Sequence, residues 1–131
     1  MMGSGGGAEE NVVELRSKRV YLPADDDDGN RVLVDRLWPR GLSKEKLGDA
    51  AWVKDVAPSD ALRKWFGHDP AKWAGFRERY FAELDANPAG VAALREALAA
   101  KGRNTLLFGA RDEQYNNAVA LCEYLRAHRR R

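Results

Sequence analysis

Two short runs, Val32-Leu33-Val34 and Thr105-Leu106-Leu107-Phe108, place apolar side chains at consecutive positions. A strand built from either must be buried on both faces. Such strands need layers above and below, and the segments between the runs supply helices. Ser59 is placed to cap a helix through Phe66, which Gly67 closes. Asp69-Pro70 and Asn87-Pro88 each set a capping residue before a proline suited to a first turn. Trp73, Phe76, Tyr80 and Leu84 recur at three- and four-residue spacing, as do Val91, Leu94 and Leu98, and then Ala118, Leu121, Cys122 and Leu125. The expected fold class is α/β: a compact single domain with a mostly parallel central sheet flanked by helices.

Three further segments complete that reading. Val12 to Leu22 has strand-like content and ends at Pro23, and Trp52 to Ala57 reads as another extended segment closed by Pro58. Ser43 to Leu47 reads as a short helix. Asp25-Asp26-Asp27-Asp28-Gly29-Asn30 reads as a solvated turn, because adjacent carboxylates repel and Gly-Asn favours reversal. Residues 1–11, opening Met-Met-Gly-Ser-Gly-Gly-Gly, are expected to be a flexible leader or cloning scar, with residues 12–131 as the domain.

Charge and ligand inventory exclude several function classes. With 22 basic and 20 acidic residues the net charge is +2, so no general basic field exists and nucleic acid would need a local patch. The lone cysteine, Cys122, excludes an internal disulfide and points to a reducing compartment. No apolar run approaches the ~20 residues of a membrane span, and the expected location is cytoplasmic. One cysteine and two distant histidines give no zinc spacing, so no metal is expected. Neither a phosphate loop nor a Gly-x-Gly-x-x-Gly fingerprint is present, and no cofactor is expected.

Candidate site residues cluster at the ends of the apolar runs. Arg36-Leu37-Trp38-Pro39-Arg40-Gly41 follows Val32–Val34 directly, and Arg111-Asp112 follows the second run. Ligands of open parallel sheets sit beyond the carboxyl ends of the strands. There the guanidiniums of Arg36, Arg40 and Arg111 supply planar forks for carboxylate or phosphate. Trp38 adds an apolar wall, Lys54, Asp55 and Asn116 add polar contacts, and Asp112 can cap the last helix. His68, in a loop beside Asp69, is a candidate proton carrier with Asp112. Arg36, Arg40, Asp55, His68 and Arg111 are expected to converge on one concavity. Cys122, on an apolar stripe, is expected to be an inert core thiol.

The stretch from Lys18-Arg19-Val20-Tyr21 through Arg31 to Gly41 resembles the YeaO-like branch of the DUF488 family. So do Trp52 to Ser59, Leu62 to Pro70, Phe76-Arg77-Glu78-Arg79-Tyr80, and Leu106 to Asp112 with Asn116 and Ala118. The resemblance implies a compact α/β domain of bacterial type and supplies no catalytic assignment. Arg111 stands where that branch commonly has lysine, and Tyr115 where a histidine commonly precedes the asparagine. The function expected is binding of a small anionic ligand in an Arg/Trp/His pocket, with hydrolysis or group transfer as its catalytic form. The alternatives are a nucleic-acid accessory module using the basic end Arg126, Arg129, Arg130 and Arg131, or a protein-interaction domain. No membrane partner is expected, and the sequence leaves the oligomeric state open.

Overall fold

Four strands form one parallel sheet in the computed structural model, which describes residues 13–128. They are β1 (Val13–Arg19), β2 (Asn30–Leu33), β3 (Ala51–Trp52) and β4 (Gly102–Phe108), in the spatial order β1-β4-β2-β3. The register pairs Arg19 with Phe108, Leu33 with Leu107, and Leu33 with Trp52. Every carboxyl end therefore opens on one edge. The expected leader and Arg129–Arg131 lie outside the described residues. Among the described residues, no helix is long and apolar enough to cross a membrane.

Among the described residues, four helices lie between strands, α1 (Lys44–Leu47), α2 (Asp60–Phe66), α3 (Trp73–Asp85) and α4 (Pro88–Ala97), and α5 (Asn117–Ala127) follows β4. Their starts follow the capping logic of the sequence. Ser43 accepts from the Lys46 amide, Ser59 from Leu62 and Asn87 from Gly90. Asp69 accepts from Ala71, but the turn it caps, Pro70–Lys72, is a short 3₁₀ segment that delivers the chain into α3 at Trp73.

The doubly apolar strands divide the core by parity. Val32, Val34, Leu106 and Phe108 pack against Leu62, Phe66, Phe76, Tyr80 and Leu121 from the helical layer. Leu33 and Leu107 face the other way, onto Val20, Leu42 and Leu47. Tyr80 is fully buried, and its hydroxyl donates to the Val56 carbonyl at 2.6 Å, tying α3 to the segment after β3. Cys122 is buried, and burial pushes its thiol up to about 11, as an inert core thiol requires.

Three local expectations are revised. The acidic turn is not solvated throughout, because Asp28 within it is completely buried. Its carboxylate sits 3.0 Å from Arg16 Nη2, 2.9 Å from Lys18 Nζ and 3.3 Å from Arg31 Nε. Strand β1 turns Arg16 and Lys18 to the same face at two-residue spacing, and that pair draws the last aspartate under the sheet. The extended segment after α1 is only Ala51–Trp52, because Lys54–Val56 curls into a 3₁₀ turn that drops Val56 into the core. The cap of α5 is Asn116, which accepts from the Val119 amide at 3.0 Å. Asp112 instead accepts from the Gln114 and Tyr115 amides at 2.8 and 3.0 Å, shaping the loop before the helix.

Candidate anion site

The carboxyl edge of the sheet opens into a cleft of about 590 Å³. One wall is the loop leaving β2, which carries Asp35, Arg36, Trp38 and Arg40. Opposite it, α2 and the loop after it contribute Arg63, Lys64, Phe66 and His68. Tyr115, Asn116 and Asn117, at the start of α5, close the back.

Parallel pairing puts the β2 loop here, and hydrogen bonds hold it. Arg36 donates from Nη2 to the Ala57 carbonyl at 2.9 Å and from Nε to Pro58 at 3.3 Å, clamping this loop to the chain that leads into α2. Trp38 Nε1 donates to the Leu42 carbonyl at 2.8 Å, and Trp38 meets Trp52 edge-on at 5.4 Å between ring centroids. Tyr21, beyond the end of β1, donates its hydroxyl to the Arg40 carbonyl at 2.7 Å. The Arg19 guanidinium lies 5.2 Å from the Tyr21 ring centre.

Among the described residues, Asp35 is the single carboxylate lining the cleft. It accepts from the Gly109 amide at 2.9 Å and from Asn117 Nδ2 at 3.1 Å, which joins the ends of β2 and β4 to the first turn of α5. Burial raises its pKa, opposed by the Asn117 and Gly109 hydrogen bonds and by attraction to Arg63. Gly109 suits this contact, since a Cβ there would lie 3.0 Å from Asp35 Oδ2 and the carboxylate would have to give way.

Positive charge dominates the remainder. Arg36, Arg40, Arg63, Lys64 and His68 all line the cleft. Among the described residues, Arg36, Arg40, Lys64 and His68 have no carboxylate within ion-pair distance; Arg63 pairs with Asp60 at 2.7 Å on the exposed face of α2. Arg36 is held by carbonyl dipoles, which fix its position without cancelling its charge.

His68 reaches the cleft through unusual backbone. Gly67 ends α2 in the left-handed conformation (φ 55°, ψ 30°), and His68 follows at φ 57°. It is the one non-glycine residue with positive φ among the described residues. That conformation costs about 1 kcal/mol or more and persists only where the surroundings impose it. Here the Gly67 and Asp69 amides donate to the Arg63 and Phe66 carbonyls at 3.0 Å on either side.

A family model described as "Inactive DUF488-N3 subclade" matches residues 14–131. The chain belongs to the DUF488 family. It is 42% identical over 115 residues to the uncharacterized protein YeaO of Escherichia coli (strain K12), covering 88% of this chain and 99% of that one. It is 40% identical over 111 residues to the uncharacterized protein Rv3073c of Mycobacterium tuberculosis (strain ATCC 25618 / H37Rv), covering 85% and 92%. No solved structure matches it. The family resemblance read from the sequence is thereby established.

Of the residues singled out from sequence in this DUF488 chain, Arg36, Trp38, Arg40, His68 and Asn116 line the cleft, whereas Lys54, Asp55, Arg111 and Asp112 do not. Lys54 lies over the Trp52 ring at 5.4 Å, and Arg111 is exposed. The side chain of Asn116 is occupied by capping α5 and by donating to the Asp112 carbonyl at 2.8 Å. Sequence reasoning passed over Arg63, Lys64, Tyr115 and Asn117. The available signals were a basic pair between the core residues Leu62 and Phe66, and an Asn-Asn doublet of which a cap needs only one. Among the described residues no group of three or more His, Cys, Asp or Glu side chains is placed to hold a metal ion. Arg126, at the basic helix end, donates to the Leu15 carbonyl at 2.6 Å.

Proposed function

We propose that this DUF488 protein is a binding domain for a small phosphate- or carboxylate-bearing ligand, held at the carboxyl edge of its sheet without turnover. The observation that carries the reading is the set of basic side chains, Arg36, Arg40, Arg63, Lys64 and His68, lining a cleft with one carboxylate. An anion entering there replaces water around cations whose charge the fold leaves largely uncompensated, and Arg40 offers a two-pronged donor.

Binding is favoured over hydrolysis or group transfer by two further observations. Asp112, the partner a catalytic His68 would call on, has its carboxylate engaged by backbone amides in the loop before α5. Asp69, beside His68, is engaged in capping the turn after α2. Under this reading His68 contributes hydrogen bonds rather than a proton relay, and the description of the matching subclade as inactive agrees. A cytoplasmic setting, supported by the reduced and buried Cys122, completes the proposal.

Thermal-shift measurements against inorganic phosphate, sugar phosphates and small dicarboxylates test it. At least one of these should raise the Tm of the wild type. Arg40→Lys keeps the charge and loses the fork, so binding should weaken by about 1 kcal/mol. No stabilisation by any of these anions contradicts the proposal.

A further inference from the structure

The cleft is larger and more apolar than a simple anion seat needs. Its volume of about 590 Å³ falls within the roughly 300–1,000 Å³ of sites that enclose a whole small molecule. A bare phosphate bound by the arginines would leave most of that space to water, against a wall of Phe66, Phe76, Tyr115 and Trp38. Phe66 and Phe76 are nearly fully buried and pack on each other at 4.5 Å between centroids, so they form a fixed floor. Tyr115 and Trp38 are only half-buried. Tyr115 is backed by Trp73 at 5.4 Å and Trp38 by Trp52 at the same distance, which makes each a supported ring with surface still open.

A third feature is polar and of opposite sign. Asp35 accepts one hydrogen bond on each carboxylate oxygen from within the protein. A carboxylate has about four acceptor positions, so it retains capacity toward a donor in the cleft. Asp35 joins the strand ends to α5, and its charge weakens the hold on an anion alone. Its free acceptor positions suit a ligand that carries an N–H donor apart from its anionic group.

Resting on the anion-site reading and extending it, we propose that the ligand is a nitrogen heterocycle bearing a phosphate, the class to which nucleoside monophosphates belong. The phosphate lies among Arg36, Arg40 and the basic side chains of α2, the ring lies against Tyr115, and a ring N–H or amino group meets Asp35. Recognition is through side chains at the strand ends and needs no glycine-rich phosphate loop.

Isothermal titration calorimetry of the wild-type protein with AMP, GMP, CMP and UMP, each against ribose 5-phosphate, inorganic phosphate and the matching nucleoside, separates the parts. The proposal expects at least one monophosphate to bind about tenfold or more tighter than ribose 5-phosphate, the contribution of a stacked base. It also expects Tyr115→Leu to remove about that factor, so that the monophosphate falls toward the affinity of ribose 5-phosphate. Ribose 5-phosphate or phosphate binding as tightly as every monophosphate overturns the heterocycle and leaves the anion site standing. A nucleoside binding as tightly as its monophosphate overturns the anion site. Binding of none of these probes overturns the present inference, while stabilisation by a dicarboxylate would still uphold the broader reading. Should Tyr115→Leu fail to fold, the wild-type comparison alone decides.

Discussion

Asp28 and Asp35 are both tucked against the sheet, and their surroundings move them in opposite directions. Burial alone would raise Asp28, but hydrogen bonds from Lys18, the Asp25 amide and Arg16, with the charge of Lys18, outweigh it and hold the carboxyl below its ordinary range. A lowered folded-state pKa contributes stability that is fully present above the unfolded value and disappears as pH falls through the folded one. Asp28→Asn should therefore cost about 3–5 kcal/mol near neutral pH, since it leaves Arg16, Lys18 and Arg31 gathered around a neutral group. Urea denaturation at neutral and acid pH checks both parts: the gap between variant and wild type should close as Asp28 is protonated. Asp35 has the reverse sign. Its raised pKa means that ionisation costs folding free energy as pH rises through the folded value, so the advantage of wild type over Asp35→Asn should shrink as pH rises. Gly109→Ala would push a methyl group to 3.0 Å from Asp35 Oδ2 and 3.5 Å from Pro39 Cβ. It should cost about 1–3 kcal/mol by displacing that carboxylate, measurable by the same denaturation.

At the scale of elements, what was legible in sequence was what local chemistry decides. Val32–Val34 and Leu106–Phe108 announced buried strands because no face of either can meet water, and Ser59 and Asn87 announced helix starts because a side-chain oxygen satisfies an orphan amide. Asp112 and Asn116 show the limit of that logic. Both are capping types within a few residues of α5, and the choice fell to Asn116 because the loop bonds of Asp112 use its carboxylate first. Asn116→Ala should consequently cost about 1–2 kcal/mol and Asp112→Ala less, a ranking thermal denaturation can establish. The segment after β3 was misjudged for a different reason. Trp52 and Val53 have strand character, but β3 is an edge with one partner, and the pull of Val56 toward Tyr80 and the core ends the strand after two residues.

For the whole molecule, the site was legible only where residues adjoin a strand or helix end. Arg36, Trp38 and Arg40 lie on the loop that leaves β2, and His68 follows the glycine that stops α2, so adjacency located them. Arg63, Lys64 and Asn117 reach the same cleft through the packing of α2 and α5 across one sheet face, which no local pattern records. Arg111 lay beside the correct strand end, yet the loop turns it outward to solvent. On the proposed function, the cations gathered at the carboxyl edge form one anion site. Titration of ¹⁵N-labelled protein with inorganic phosphate, followed by amide chemical shifts, tests it most directly. Saturable shifts should cluster at Arg36–Gly41, Arg63–His68, Gly109 and Asn116–Asn117, and Arg40→Leu should weaken them. Saturable shifts confined to other surfaces, or no saturable shifts at all, would contradict the account.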